Sequence, residues 1–166
     1  MKTQIRKTVI AAMLSALACV ATIIIKIPSP LNGYINLGDC IVLLSGWLLS
    51  PVYGFFAAAV GSGLADVFSG FVTYAPATFV IKGFMALCAH FLYNLLVKRA
   101  GDLPSRIISG LCTELVMVGG YYVFEGFLYG LGSSLINVPA NAVQGAAGVI
   151  LGIVLIRMFD RYKILR

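Results

Sequence analysis

Polar side chains near the C-terminal end of the chain are spaced as on one face of a helix. Asn137, Asn141 and Gln144 are four and then three residues apart, and residues at these spacings are neighbours on a helix surface. The residues between and after them are mostly small. This pattern fits hydrogen bonding between closely packed helices. Because a carboxamide both donates and accepts, it equally fits recognition of a polar ligand, which we favour.

A second polar row precedes the first. Glu114, Tyr121 and Glu125 are spaced by seven and then four residues, with Tyr122 beside them, so one helical face again carries the polar groups. Glu125 is expected near the end of its apolar segment, where a solvated carboxylate is an open alternative to a ligand contact. Glu114 is expected near the middle, where it must be paired, protonated or directed at a ligand.

Asp66 and Lys82 flank a short segment rich in glycine and aromatic residues. Two antiparallel helices joined there would bring both side chains to a similar depth, so we predict an ion pair between Asp66 and Lys82. Lys82 could serve a ligand as well as the carboxylate. His90, about two turns further along, is interpreted as a hydrogen-bonded residue of the helix packing.

Aromatic residues accompany these polar groups. They fit an aromatic belt at a membrane surface, or the walls of a site for a flat heteroaromatic ring, which stacks on aromatic faces while amides bind its heteroatoms. The residues concerned are Tyr34, Phe71, Tyr74, Phe79, Tyr121 and Tyr122.

The amino-acid composition indicates whether water or lipid surrounds the helices that carry these residues. The chain has 166 residues, of which 60% are apolar and 11% charged, whereas soluble domains average about 45–50% apolar and about 25% charged residues. A chain with so few charges cannot cover its surface in water. We therefore predict one integral membrane domain over residues 1–166, and exclude an ordinary soluble, disordered, nucleic-acid-binding or disulfide-stabilised secreted protein.

Six apolar segments are long enough, or nearly so, to cross the bilayer as helices. The second is only about 20 Å long as a helix and should meet its outer loop below the membrane surface. The fold class predicted is an all-α bundle of six transmembrane helices, with approximate spans 8–25, 37–50, 52–69, 77–97, 106–125 and 138–159.

Basic residues predict the orientation of this bundle. If the N-terminus is cytoplasmic, ten of the twelve basic residues lie inside, and Lys26 is the one in the outer loops. This bias predicts that both termini are cytoplasmic, in the cell membrane of a prokaryote. The ten are Lys2, Arg6, Lys7, Lys98, Arg99, Arg106, Arg157, Arg161, Lys163 and Arg166.

Sequence motifs for enzymatic chemistry are missing. The chain has no nucleotide-binding P-loop, no H-E-x-x-H and no G-x-S-x-G, so we expect no ATPase of its own and no catalytic residues. Its four cysteines, Cys19, Cys40, Cys88 and Cys112, form no C-x-x-C pair and are interpreted as buried small residues. We expect neither a metal ion nor a cofactor.

The first span is nearly free of polar residues and contains Ala12 and Ala16, one turn apart. Small residues at this spacing allow a second helix to approach closely. That helix could belong to this chain or to a separate subunit, and both alternatives stay open.

Three segments carry a resemblance to a known family: Tyr34–Asp39 (YINLGD), Gly61–Gly70 (GSGLADVFSG) and Tyr74–Gly83 (YAPATFVIKG). Together with six spans, they resemble the substrate-binding S components of energy-coupling factor (ECF) vitamin transporters. The similarity is greatest to the branch that includes the riboflavin, pyridoxine and hydroxymethylpyrimidine proteins. The motifs lie in the first eighty-odd residues, and the last two spans match by pattern.

The resemblance implies a function and a set of partners. Such proteins bind a vitamin at the outer side of the membrane and import it with a transmembrane coupling protein and two ATPase subunits. Small residues of the first helix contact the coupling protein in this family, a role that falls here to Ala12 and Ala16. The family's site maps onto Asn36, Asp39, Tyr74, Lys82, Tyr121, Glu125, Asn137, Asn141 and Gln144.

The side chains of this mapped site favour pyridoxine or hydroxymethylpyrimidine over riboflavin, with a queuosine precursor as a further possibility. A different class remains as the alternative: a stand-alone proton-coupled carrier or intramembrane enzyme that uses Asp66, Glu114 and His90. It predicts uptake or turnover by this chain without partners.

Overall fold

The computed structural model describes residues 2–29, 31 and 33–162. The described chain forms helices joined by short connections, with one small hairpin near the N-terminal end. In chain order the elements are α1 (Lys2–Ile24), β1 (Ile27–Pro28), β2 (Tyr34–Ile35), α2 (Asp39–Leu48), α3 (Pro51–Phe68), α4 (Ala75–Ala100), α5 (Asp102–Tyr129), α6 (Leu131–Ser134), a 3₁₀ turn (Leu135–Asn137) and α7 (Val138–Tyr162).

Within the described residues, five helical segments are long and apolar enough to cross a membrane. They include α1, α3, α4 and α5 together with the continuous segment that ends in α7. Several run beyond the predicted spans, since α4 reaches Ala100 and α5 begins at Asp102. Hydropathy marks the apolar part of a helix, whereas a helix continues through charged residues into the membrane surface.

Helix α2, predicted as a short span, is a helix of ten residues with nine of them buried. It packs against α1, α3, α4 and α7, and its Leu43, Leu44 and Trp47 belong to the main apolar core. Because protein rather than lipid surrounds α2, the helix does not need the length of about 20 residues that lipid exposure demands.

Glycines allow the helices to approach closely at two places. A Cβ atom at Gly61 of α3 would lie 2.3 Å from the carbonyl oxygen of Ser15 in α1, and one at Gly46 of α2 would lie 2.5 Å from the carbonyl oxygen of Ala86 in α4. At the turn between α4 and α5, Gly101 has a φ of +81°, which L-residues with side chains rarely adopt.

The two ends of the bundle differ, and we name them here. The pocket end comprises the β1–β2 hairpin, the α3–α4 turn and the segment from the end of α5 to the start of α7. At the basic end, the start of α1 meets the start of α3, where Tyr53 Oη donates to Gln4 Oε1 at 3.2 Å. The α4–α5 turn lies at the same end, with Arg106 over the Trp47 ring. Lys163 and Arg166, also counted as inner charges, lie outside the described residues.

Candidate functional site

A pocket opens at the pocket end, between several of the elements there. Together with its mouth it holds about 400 Å³ of empty space. The hairpin, the end of α3, and helices α4, α5 and α7 supply the lining, which consists of Ser29, Gly33, Tyr34, Asn36, Asp66, Phe71, Tyr74, Thr78, Tyr121, Glu125, Asn141 and Gln144.

The hairpin forms one wall of this pocket and was not predicted. Strand β1 pairs antiparallel with β2, with Ile27 opposite Ile35 and Pro28 opposite Tyr34. The Tyr34 hydroxyl donates to Asp66 Oδ1 at 2.6 Å, which joins the hairpin to the end of α3. Burial and this hydrogen bond raise the pKa of the Tyr34 hydroxyl, so the donor persists throughout the physiological pH range.

Asn137, predicted to bind substrate, instead holds the hairpin connection in place. Its Oδ1 accepts from Leu31 N at 3.2 Å, and its Nδ2 donates to Leu31 O at 3.3 Å and to Glu125 Oε1 at 2.8 Å. The amide thus uses both donors and its oxygen within the protein. Asn137 does not appear in the pocket lining, and its observed contacts are those of a clamp between α5 and the hairpin.

Below the pocket lies a chain of polar contacts. Gln144 Oε1 accepts from Asn36 N at 2.9 Å, and Gln144 Nε2 donates to Asp39 Oδ2 at 2.6 Å. Asp39 in turn forms an ion pair with Lys82, and the side chains of this pair are 0% and 3% exposed. Asp39 and Lys82 therefore support the pocket floor from beneath rather than line it.

The predicted ion pair between Asp66 and Lys82 is wrong. Lys82 lies on the face of α4 that carries Met85 and Ala86, which pack with Val42 of α2, so its ammonium meets Asp39 at the start of α2. Asp66 is directed to the hairpin and Tyr34. The two residues lie at a similar depth in the bundle, as expected. Their partners depend on how each helix is rotated about its axis, which depth alone does not define.

Three polar groups of the lining have unused hydrogen-bonding atoms. Asp66 Oδ2, Glu125 Oε2 and the Tyr74 hydroxyl are buried without a hydrogen bond of normal geometry among the described residues. These side chains are only 3–7% exposed. A buried acceptor left unpaired costs about 1–3 kcal/mol, more when charged, so a ligand that brings donors would stabilise this lining.

Aromatic rings form much of the remaining wall. The Tyr34 and Phe71 rings lie 4.8 Å apart, and Tyr74 packs edge-on against Phe124 at 5.3 Å. On the opposite side Tyr121 shares a hydrogen bond of 3.0 Å with Thr78. The pocket therefore combines ring faces with acceptors, an arrangement suited to a flat ring with polar substituents.

Six of the nine predicted site residues line this pocket: Asn36, Tyr74, Tyr121, Glu125, Asn141 and Gln144. Thr78 and Ser29 were missed, because a short hydroxyl in an apolar or loop segment gives no distinctive pattern. His90 lies away from the pocket, with Nδ1 3.1 Å from the Gly46 carbonyl oxygen, as a hydrogen-bonded packing residue would.

Ala12 and Ala16 lie on the outside of the bundle. Both are exposed, and they line an apolar groove between α1 and α3 that also includes Phe56 and Val60. Contact of α1 with the rest of the chain uses Leu14 and Ala18, which are buried. The two small residues are therefore not consumed by packing within this chain.

Comparison with known proteins assigns the chain to a family. Residues 2–161 match the model of the ECF-type riboflavin transporter S component family. The chain belongs to this family. Its members are multi-pass membrane transporter subunits rather than enzymes, and the five apolar helices agree with that.

Individual relatives are similar over most of the chain. An uncharacterized protein from Pyrococcus woesei is 34% identical over 134 residues, covering 80% of this chain and 87% of the relative. The thiamine precursor transporter HmpT of Lactococcus lactis is 29% identical over 167 aligned positions, covering 97% and 92%. A solved S component of a bacterial ECF transporter superposes with a TM-score of 0.72 at 26% identity, covering 98% of this chain and 99% of its own.

Proposed function

We propose that this S component is the high-affinity substrate-binding subunit of an ECF-type importer and takes up a small heteroaromatic vitamin or vitamin precursor. The observation that carries the proposal is the pocket with aromatic walls and three buried atoms, Asp66 Oδ2, the Tyr74 hydroxyl and Glu125 Oε2, that make no hydrogen bond of normal geometry within the described residues. In a ligand-free protein such groups are costly. A substrate with several N–H or O–H donors would satisfy all three at once.

We infer that the substrate is pyridoxine or hydroxymethylpyrimidine rather than riboflavin or a queuosine precursor. The cavity itself measures only about 30 Å³, so it suits a compact ring better than a three-ring system with a long polar chain. The acceptors call for hydroxyl or amino substituents. A relative whose name describes it as a thiamine precursor transporter adds support.

The proposed orientation places the pocket outside the cell and both termini inside, with six crossings. Support comes from the separation of the two ends: Arg106 and the α4–α5 turn lie at the basic end, away from the pocket. Under the positive-inside rule the basic end faces the cytoplasm. Labelling of single cysteines by a membrane-impermeant reagent in intact cells tests this, with a cysteine at Ser29 expected to react and one at Asp160 not.

The proposed partners are a transmembrane coupling protein and two ATPase subunits. The exposed pair Ala12 and Ala16 on the groove between α1 and α3 is the proposed contact, since small residues allow close approach of a helix. Replacing either by Trp should prevent co-purification with the coupling protein and uptake in cells, while binding by the isolated subunit persists. If the isolated subunit also loses substrate binding, Ala12 and Ala16 are needed for the fold rather than for contact with the partner.

Ligand binding by the purified protein tests the central proposal. Calorimetry with pyridoxine, hydroxymethylpyrimidine, riboflavin and queuine measures each affinity directly. Tyrosine fluorescence serves as the internal reporter, because Trp47 lies at the basic end. Submicromolar binding of one compound supports the proposal and names the substrate. Uptake into liposomes by this chain without partners would contradict it and favour the stand-alone carrier.

A further inference from the structure

A buried carboxyl group lies beneath the pocket and belongs to no described hydrogen bond. Glu114, on α5, is 5% exposed, and neither Oε1 nor Oε2 has a hydrogen-bond partner among residues 2–29, 31 and 33–162. It does not line the pocket, so a ligand there does not reach it. The sequence left Glu114 paired, protonated or directed at a ligand. The described contacts therefore support neither the first nor the third of these alternatives.

The chain makes room for this carboxyl group on α7. A Cβ atom at Gly145 would lie 3.1 Å from Glu114 Oε2, and one at Gly148 would lie 3.2 Å from Glu114 Oε1 and 2.8 Å from Asp39 Cβ. The two glycines are one turn apart, so their missing side chains leave a niche against the α7 backbone. Both acidic side chains approach the same point of that niche.

The charges that face Glu114 do not neutralise it. From α2 come Asp39 and the thiol of Cys40, and from α4 comes Lys82. Helix α7 adds no titratable side chain at Gly145 or Gly148, and α6 contains none. The ammonium of Lys82 is already paired with Asp39. If Glu114 were ionised, two buried carboxylates would share one cation, and one negative charge would be left uncompensated in a nonpolar interior.

We propose that Glu114 is a proton-binding site: its carboxyl group is held in the neutral, protonated form in the niche formed by Gly145 and Gly148. Its proton keeps the pair of Asp39 and Lys82 balanced. Because Asp39 also accepts from Gln144, which accepts from Asn36, that proton preserves the polar chain under the pocket. The inference concerns the fold beneath the site and holds whatever the substrate is.

The proposal has a defined consequence for stability. An unfolded chain releases this proton above the ordinary glutamate pKa of about 4.3, whereas the folded protein keeps it. Above that pH the unfolded state therefore binds one proton fewer at this site than the folded state. Stability therefore falls as pH rises, by about tenfold in the folding equilibrium constant per pH unit from this site. The Glu114→Gln variant carries no such proton and lacks this contribution.

Infrared spectroscopy of labelled protein detects the proton directly. The chain has two glutamates, Glu114 and Glu125, so Glu125→Gln leaves Glu114 as the sole glutamate. With ¹³C-carboxyl glutamate incorporated and no substrate present, we expect an isotope-shifted band of a protonated carboxylic acid at neutral pH. A shifted carboxylate band in its place, or loss of the acid band on addition of Na⁺, would overturn the proposal.

Thermal unfolding in detergent provides the second readout, from about pH 6 to about pH 9. The wild-type protein should lose stability with rising pH more steeply than Glu114→Gln. Asp160→Asn, which removes an exposed carboxylate of α7, is the matched control and should follow the wild type. Equal slopes for wild type and Glu114→Gln would contradict the proposal. Neither readout uses substrate, so a failure to bind any vitamin would leave this inference standing.

Discussion

The two ends of the bundle contain the same hydrogen bond in different surroundings. At the pocket end Tyr34 donates to Asp66 Oδ1 at 2.6 Å, and at the basic end Tyr93 donates to Asp102 Oδ1, also at 2.6 Å. Asp102 additionally receives Arg106 Nε, which lies 3.0 Å from each carboxylate oxygen. The cation that acts on Asp66, Lys82, is itself paired with Asp39, and Asp66 Oδ2 makes no hydrogen bond of normal geometry among the described residues.

Exposure sharpens the contrast between the two carboxylates. The Asp102 side chain is 54% exposed, so water shares its solvation with Arg106, whose guanidinium also lies over the rings of Trp47 and Tyr93. Asp66 is only 5% exposed, and among the described residues no cation forms a salt bridge with it as Arg106 does with Asp102. A tyrosine–aspartate pair is thus a solvated structural contact at one end and part of the proposed binding site at the other.

Removing the support beneath the pocket should have the largest effect. Lys82→Met leaves Asp39 as an unpaired buried charge, which is expected to cost about 3–5 kcal/mol of stability. Thermal unfolding in detergent measures the loss, and substrate binding should disappear with the pocket floor. The double variant Asp39→Asn with Lys82→Met removes both charges and should recover most of the stability. Equal instability of the single and double variants would show that the two residues do not act as a pair.

Replacing the unused acceptors should separate binding from stability. In Asp66→Asn the remaining oxygen can still accept from Tyr34, and in Glu125→Gln it can still accept from Asn137. In each variant the second carboxylate oxygen is replaced by an NH₂ group, which donates instead of accepting. Each should weaken substrate binding by about 1.5–3 kcal/mol, or about 10- to 150-fold, and raise the thermal stability of the ligand-free protein. Calorimetry measures the first effect and thermal unfolding the second.

Asp102→Asn at the basic end is the matched control for these two variants. It alters a tyrosine-bonded carboxylate that is already solvated, so the affinity for substrate should equal that of the wild type. A comparable loss of affinity in Asp102→Asn would mean that the contrast between the two ends does not identify the binding site.

The elements of the fold were predictable to different extents. Long apolar runs identify α1, α3, α4, α5 and α7, because lipid requires about 20 apolar residues in each. The β1–β2 hairpin has two residues in each strand, too few for an alternating pattern. The burial of α2 also escapes prediction, since an apolar helix looks the same whether lipid or protein surrounds it.

For the site, residue type and helical spacing locate polar faces but not partners. The spacing of Asn137, Asn141 and Gln144 predicts one helical face. Asn137, however, belongs to the 3₁₀ turn before α7 and contacts Leu31 of the hairpin, a residue too distant in sequence for any local pattern to indicate. The partner of Lys82 depends on how α4 is rotated toward α2. Such choices follow from packing between helices, for which one sequence carries no direct signal.

Two asparagines of this face should respond differently to truncation. Asn141 lines the pocket, so Asn141→Ala should weaken binding by about 1 kcal/mol, roughly fivefold, mainly through faster dissociation. Asn137→Ala removes the clamp on the hairpin and should accelerate both association and dissociation. Stopped-flow tyrosine fluorescence distinguishes the two. Identical kinetic changes in both variants would argue against separate roles.

The smallest effect is expected at the basic end itself. Arg106→Lys retains the charge beside Asp102 but loses the planar guanidinium, whose carbon lies 4.6 Å from the Tyr93 ring centroid and 5.5 Å from that of Trp47. Stacking of this kind contributes about 0.5–2 kcal/mol, so thermal stability should fall slightly while substrate affinity is unchanged. Tryptophan fluorescence should shift as well, because the chain has one Trp. A change in affinity with no change in Trp47 emission would mean that the basic end communicates with the pocket, and the two ends could then no longer be treated as independent.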